Sequence, residues 1–310
     1  MKQDLRNTLL NISGIQVAEN VPLREMTTFR VGGPASLLIT CSRTHAFREV
    51  LAVLRDHKQE VRVIGEGSNI LAADRGLDAV VVRYLSRDPE ISRQKDVLRV
   101  SGSALLDDVA LYASEYGLVG LSFASGIPGT VAGAVVGNAG AFGRQMSDIV
   151  QSVEIVDDQG AARTVSAGEI AWAYRKTDIE NKRWLVTAVR FVLESGSHAS
   201  LVEDRREILA LRSKKHPDYQ NKPCAGSFFK NIVHTDGSRQ AAGWFLEQAG
   251  CLGMRVGGAA VYDRHANIIV NEGQAAAADI VRLADIMRDA VRTSFGIDLE
   301  PEVRYWGFQG

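Results

Sequence analysis

Gly126-Ile127-Pro128-Gly129-Thr130-Val131-Ala132-Gly133-Ala134-Val135-Val136-Gly137-Asn138-Ala139-Gly140-Ala141-Phe142-Gly143 places six glycines in eighteen residues. Glycine loses more conformational freedom on folding than any other residue, so this density among Val, Ala and Ile needs a physical reason. One reason is backbone running close against a flat ligand or a pyrophosphate that a Cβ would displace; the other is relief of close packing between strands. No lysine follows the glycines as it does in a Walker phosphate loop, which excludes that motif. Upstream, VRVIGEGSNIL from Val61 to Leu71 puts Gly65 and Gly67 directly after a strand, but Ile70 takes the third glycine position, so the Rossmann fingerprint fails. What remains is a turn with a hydroxyl at Ser68 and an amide at Asn69, able to aim backbone N–H groups at a phosphate. A plain tight turn explains it equally well.

The pattern around these segments is that of an α+β protein. LLIT at 37–40, an amphipathic stretch through Phe47, Val50, Leu51 and Leu54, then VRVIG and AVVVR predict a small strand-helix-strand-strand unit. A second unit opens with LRVSG and a helix carrying Leu106, Val109, Ala110 and Ala113 on one face, with Ser103 as N-cap and Gly117 as C-cap. SVEIVD, ARTVS and WLVTAVRFVLE alternate as antiparallel strands around a turn at 158–160. Ser200-Leu201-Val202-Glu203 reads as a capping box opening a helix to about Arg212, with a domain boundary just before it. Further helices are predicted over about 238–249 and along the stripe Ile280, Leu283, Ala284, Met287 and Val291; LEPEVRYWG alternates as a last strand, with Val303 and Tyr305 on one face.

At 310 residues the chain is long enough for two or three domains, and 45% hydrophobic with 24% charged residues is a globular composition. A net charge of -1, from 36 basic and 37 acidic side chains, gives no broad positive field for nucleic acid. No signal-like or membrane-spanning apolar run is present in the sequence, so the expectation is a cytoplasmic protein that engages neither membrane nor nucleic acid. Cys41, Cys224 and Cys251 are odd in number and match no metal spacing; they read as reduced, inert thiols, and no metal is expected.

FRVGGPA at Phe29 to Ala35, GEGSN at 65–69 and GIPGTVAG at 126–133 together resemble the UDP-N-acetylenolpyruvoylglucosamine reductases, and the resemblance runs from about Pro22 to Gly307. It implies a two-lobed FAD-binding fold of the vanillyl-alcohol oxidase type plus a C-terminal α/β substrate-binding domain. The implied division is 1–88 and 89–198 as the two FAD-binding lobes, 199–298 as the substrate-binding domain, and 299–310 as a strand returning to the active site. The implied cofactors are non-covalent FAD and NADPH as hydride donor. The implied reaction reduces the enolpyruvyl ether of UDP-N-acetylglucosamine enolpyruvate to UDP-N-acetylmuramate for peptidoglycan, and the expected state is a monomer.

Carried over residue by residue, the resemblance implies FAD contacts at Arg30, Val31, Gly32, Gly33, Gly65, Gly67, Ser68, Asn69, Gly126, Pro128, Gly129, Thr130, Gly133, Asn138, Gly140 and Ala141. Ser227, in AGSFFKN, matches the family's proton donor. Arg175, in YRKTD, matches the arginine beside the enolpyruvyl group, where a planar fork suits a carboxylate. Glu302, in PEVR, matches the glutamate that helps stabilise or protonate the intermediate. Tyr174, Lys215, Lys230, Asn231 and His265 are the implied substrate contacts, with the basic run Lys214-Lys215-His216 facing the diphosphate. Read on their own, these residues have plainer roles: a capping serine, an Arg175–Asp178 surface pair, a solvated charge run, a core histidine. Glu66, Ala132, Ser122 and Ile232 depart from the family's usual glycine, glycine, glutamate and proline. The span from Arg175 to Lys215 is too short for the tyrosine-bearing capping loop of one branch, so the chain resembles the loop-less branch. An FAD-linked oxidase and a non-enzymatic flavin- or UDP-sugar-binding protein are the competing readings.

Overall fold

The computed structural model describes residues 3–86 and 89–308. The expected lobe boundary after residue 88, and the outermost residues of both termini, lie outside the described residues. The chain forms two compact units, each assembled from separated stretches: the first from Met1–Glu19, Leu37–Gly65 and Ala79–Ala210, the second from Asn20–Ser36, Glu66–Asp78 and Leu211–Gly310.

The first unit is built on regular sheet. The strands Ile15–Pro22, Pro34–Cys41, Leu77–Tyr84 and Val61–Ile64 lie side by side in that order, and the helix Thr44–Asp56 places Phe47, Val50 and Leu54 in a core with Leu37, Ile39, Val80 and Val82. A second sheet orders Ala162–Ser166, Val150–Val156, Leu185–Val192, Val97–Ser101 and Ile91–Gln94, all antiparallel. Its alternation was legible where a strand has one wet face, whereas Val186 to Val189 are buried on both faces. Val153, Ile155, Val165 and Val189 face the core, whereas Glu154 lies on the other side, where Arg99 grips it through two hydrogen bonds and Arg190 pairs with it. The Arg99 hydrogen bonds, with the neighbouring positive charge, hold the Glu154 carboxyl below the usual carboxylate range.

Three helices begin elsewhere than predicted. The Ser103 hydroxyl turns to Ser101, 2.9 Å away, so the helix Leu106–Glu115 starts after Leu105 without that cap. The helix His198–Lys215 starts ahead of the Ser200 box. In the second unit, Arg239–Gln240 pairs with Ile232–Val233 as a short ladder, which delays the next helix to Ala242–Gln248.

The second unit packs around the helix Ala277–Phe295, whose buried residues include the whole predicted stripe Ile280, Leu283, Ala284, Met287 and Val291. Gly296 closes it at φ +68, a conformation that favours glycine. Strands here are only two or three residues long: Arg255–Val256, Ala259–Val261 and Ile269–Asn271 form one sheet. The predicted last strand contracts to Arg304–Trp306, which runs parallel to Ile70–Ala72. Val303 is buried, and Tyr305, 37% exposed, packs its ring edge-on against the buried Phe228 of the same cluster, with centroids 6.3 Å apart. Among the described residues no helix is long and apolar enough to cross a membrane. Cys41, Cys224 and Cys251 are buried free thiols, and burial raises the pKa of each, that of Cys41 to about 12.

Candidate active site

In the first unit the two glycine motifs meet at Thr130. A Cβ on Gly65 would lie 2.6 Å from the Thr130 Oγ1, and that hydroxyl accepts the Gly133 N–H, capping the short helix Val131–Val136. Gly126 (φ +72) and Gly129 (φ +120) take the backbone through conformations an L-residue resists. The Gly126 N–H donates to Asp107, which also pairs with Arg205, both at 2.6 Å. Immediately ahead, Ser125 is fully buried and its hydroxyl has no hydrogen-bond partner among the described residues. An unmade bond of this kind costs about 1–3 kcal/mol unless a ligand completes it. The Ala132 departure is locally accommodated, since Gly102 lies against its methyl group.

Asn138, expected as a cofactor contact, commits its side chain to the protein. Its Nδ2 donates to Ala173 O at 2.9 Å and its Oδ1 accepts the Ser147 N–H at 3.0 Å. With Thr177 Oγ1 donating to Val136 O, this ties the glycine segment to the hairpin Trp172–Ala173 and Lys176–Thr177. Tyr174 and Arg175 are the two turn residues of that hairpin. Arg175 has φ +57, and its guanidinium carbon lies 5.3 Å from the centre of the Tyr174 ring. Asp178 holds Lys182 at 2.7 Å and accepts the Ala171 N–H. A non-glycine residue kept in the left-handed region at a turn is held there at a cost in backbone strain. Gly140 and Ala141 pair with Arg144–Gln145, and a Cβ on Gly140 would lie 2.3 Å from Arg144 O.

In the second unit, Gly67 lies against the segment just before Arg30, with the Thr28 N–H donating to Gly67 O at 3.3 Å, while Gly32 and Gly33 lie against Ala72 to Asp74. A Cβ on Gly67 would lie 2.0 Å from Met26 O, and one on Gly33 2.1 Å from Asp74 O. At these positions the close-packing reason for glycine applies directly. Arg30 has φ +53, and Asn271, buried, donates from Nδ2 to Phe29 O at 3.0 Å. The Thr28 Oγ1, like that of Ser125, is buried with no partner among the described residues.

Ser227 and Glu302, 75 positions apart in sequence, are carried by neighbouring segments of this unit. The Glu302 N–H donates to Phe228 O at 2.8 Å, and Lys230 N–H donates to Glu300 O at 2.9 Å. Asn69 Nδ2 donates to Glu302 O at 3.1 Å, which joins the GEGSN turn to the Glu302 segment. The Lys230 ammonium pairs with Glu300, and Asn231 Oδ1 accepts the Ala242 N–H at the start of a helix. His216 and His265 lie 5.5 Å apart, ring to ring, and burial lowers both pKa values, that of His216 to about 4. Both are therefore neutral near pH 7, and the charge of the Lys214-Lys215-His216 run comes from its lysines.

Ser125, Thr28, Asp107, Asn267 and Asn271 were not singled out from the sequence. A signal existed for the asparagines, because in HANIIVN two amides bracket an apolar strand where alternation alone has no use for them.

The glycine-lined backbone and the unsatisfied hydroxyls fit a phosphate-bearing cofactor, and residues 35–166 match a family described as an FAD binding domain. The fold and site thus define an FAD-linked oxidoreductase. Residues 217–306 match the C-terminal domain of UDP-N-acetylenolpyruvoylglucosamine reductase. A reductase of that name from Gloeobacter violaceus is 36% identical over 293 residues, 94% of this chain and 97% of the relative. One from Bacillus cereus is 33% identical over 306 residues, 98% of this chain and 99% of the relative. The crystal structure of the Thermus caldophilus reductase superposes with a TM-score of 0.79 at 32% identity, covering 94% of this chain and 99% of that one. The chain belongs to the UDP-N-acetylenolpyruvoylglucosamine reductase family.

Proposed function

We propose that this protein reduces UDP-N-acetylglucosamine enolpyruvate to UDP-N-acetylmuramate, with non-covalent FAD and NADPH, as a cytoplasmic monomer in peptidoglycan precursor synthesis. The family relationship supports the reaction and its cofactors. The observation that carries the site assignment is the pairing of the Ser227 and Glu302 segments through the Glu302 N–H to Phe228 O hydrogen bond.

FAD, when bound and reduced by NADPH, would supply the hydride for the enolpyruvyl double bond. The chain's own residues do the rest. Arg175 binds the enolpyruvyl carboxylate with its planar fork and stabilises the charge that develops next to it. Ser227 gives its hydroxyl proton to the carbon left electron-rich by hydride addition, and solvent restores that proton. Glu302 stabilises the same species. Tyr174, Lys215, Lys230, Asn231 and His265 hold the sugar nucleotide. Arg30 to Gly33, Gly65, Gly67 to Asn69, and the 126–141 positions hold FAD, Ser125 and Thr28 adding hydroxyls, while Asn138 contributes by fixing the loop. Residues 1–88 and 89–198 act as FAD-binding lobes, 199–298 as the substrate-binding domain and 299–310 as the returning strand.

The test is an absorbance experiment on the purified protein under anaerobic conditions. A flavin band should bleach with NADPH and return on addition of UDP-N-acetylglucosamine enolpyruvate. Bleaching without substrate-dependent recovery would remove the proposed substrate, and rapid recovery with air alone would favour an oxidase.

A further inference from the structure

We infer that Asn267 is a positioning residue that sets the height and direction of Ser227. The inference rests on the assignment of Ser227 as proton donor. Ser227 and Ile268 form an antiparallel bridge, and Phe228 N–H donates to Asn267 O at 2.8 Å. The ladder does not continue through Ile268, which donates its own N–H to His265 O and accepts from Tyr262 N–H. The Asn267 side chain supplies the missing rungs. Its Oδ1 accepts the Phe229 N–H at 2.9 Å and its Nδ2 donates to Phe229 O at 2.8 Å. A single side chain therefore acts as a strand edge toward one peptide, and only one amide orientation satisfies both bonds.

The geometry demands this residue. Asn267 is 2% exposed and Phe229 1%, so both Phe229 peptide groups depend on Asn267 or on the 300–302 segment for partners. That segment is already used, by Phe228 O and by Lys230 N–H. The backbone on both sides of Phe229 is thus fixed, and Ser227 lies two residues upstream of the clamp, next to Gly226 at φ +72. Gly226 alone would leave the donor free to swing, because glycine has no steric preference to hold the chain there. Asn267 also donates its own N–H to His265 Nδ1 at 3.2 Å, which places the proton of that neutral ring on Nε2. One residue fixes the proton donor and the tautomer of a substrate-contact histidine. Aspartate keeps the shape and the acceptor but removes the donor to Phe229 O; leucine removes both.

The experiment compares the two half-reactions by rapid mixing in Asn267→Asp, Asn267→Leu, Ser227→Ala and the Ser227→Ala/Asn267→Leu double variant, with FAD content and Tm measured alongside. In the Asn267 single variants, flavin reduction by NADPH should stay within about twofold while substrate reduction slows ~10- to 100-fold, the range for a reacting group displaced by about an ångström. The double variant should be no slower than Ser227→Ala, since a residue acting through the hydroxyl has nothing left to position. Additive slowing, equal slowing of both half-reactions, or loss of folding in both Asn267 variants would each make Asn267 a fold residue and overturn the proposal. If Ser227→Ala itself leaves substrate reduction unchanged, the proton-donor assignment fails, and the inference with it; that outcome is read from the Ser227→Ala arm alone.

Discussion

The two units surround their proposed reacting groups with different amounts of regular sheet. Arg175 sits at the turn of a two-residue hairpin that the Asn138 and Thr177 side chains tie to the glycine segment, in a unit whose largest sheet has five antiparallel strands joined by long backbone ladders. Ser227 sits among strands of two or three residues, held by individual side chains: Asn267 on Phe229, Asn271 on Phe29, and Asp74 on the Ala277 and Ala278 N–H groups. A ladder distributes the cost of a change over many bonds, whereas a side-chain clamp concentrates it in one. The second unit should therefore be the more sensitive to single substitutions away from the chemistry.

The largest effect expected is chemical. Ser227→Ala should slow substrate reduction ~100-fold or more while NADPH still reduces the flavin normally, as loss of a positioned proton donor requires. Stopped-flow traces of both half-reactions decide this, and equal slowing of both would refute the assignment.

A matched glycine pair probes packing. Gly33→Ala places a Cβ 2.1 Å from a backbone oxygen, while Gly143→Ala, at φ +77, meets nothing within 4 Å. The first should cost about 1–3 kcal/mol or more through overpacking, beyond any backbone strain, and the second about 1–2 kcal/mol from its left-handed backbone alone. Denaturant melts of the two variants should rank them in that order, and equal costs would remove the contrast between the units.

Acid sensitivity gives a third test. His216 is uncharged in the folded protein down to about pH 4 but charges near 6.5 when unfolded. Between those values the unfolded chain binds more protons, so stability rises with pH across the window and is lost on acidification from 6.5 toward 4. His216→Gln should flatten part of that loss in melts taken from pH 7 to 4. His265 shifts in the same direction, so it should retain the remainder. An unchanged pH profile would mean that His216 is solvated.

The smallest expected effects compare local devices. Arg175→Gly should be about 1 kcal/mol more stable than Arg175→Ala, because only glycine relieves φ +57, although both should lose activity. Asp74→Ala should cost about 1 kcal/mol as a lost helix cap, measured as a Tm decrease.

The sequence was most legible where one periodicity governs. The antiparallel strands at 150–156, 162–166 and 185–192 and the stripe from Ile280 to Val291 follow directly from alternation and from 3.6-residue spacing. Helix starts were less legible because Ser103 and Ser200 resemble caps, yet Ser103 is hydrogen-bonded to Ser101 and Ser200 lies inside its helix. The glycine segments announced close approach but not its partner: Gly33 and Gly67 face backbone, Gly65 faces Thr130. Ser227, Arg175 and Glu302 emerged only through the family resemblance, since an isolated serine, arginine or glutamate has no period. Asn267 and Asn271 remained hidden because their function is to bind peptides far away in the chain.

The parallel pairing of Arg304–Trp306 with Ile70–Ala72 has a consequence for synthesis on the ribosome. The early strand emerges ~230 residues before its partner, which at roughly 5–20 residues per second is a wait of about 10–50 s. During that time Leu71, fully buried in the finished protein, has no edge to close on. The second unit is completed only as the last stretch appears, so a ribosome stalled before residue 304 should display a nascent chain whose early segment still recruits chaperones.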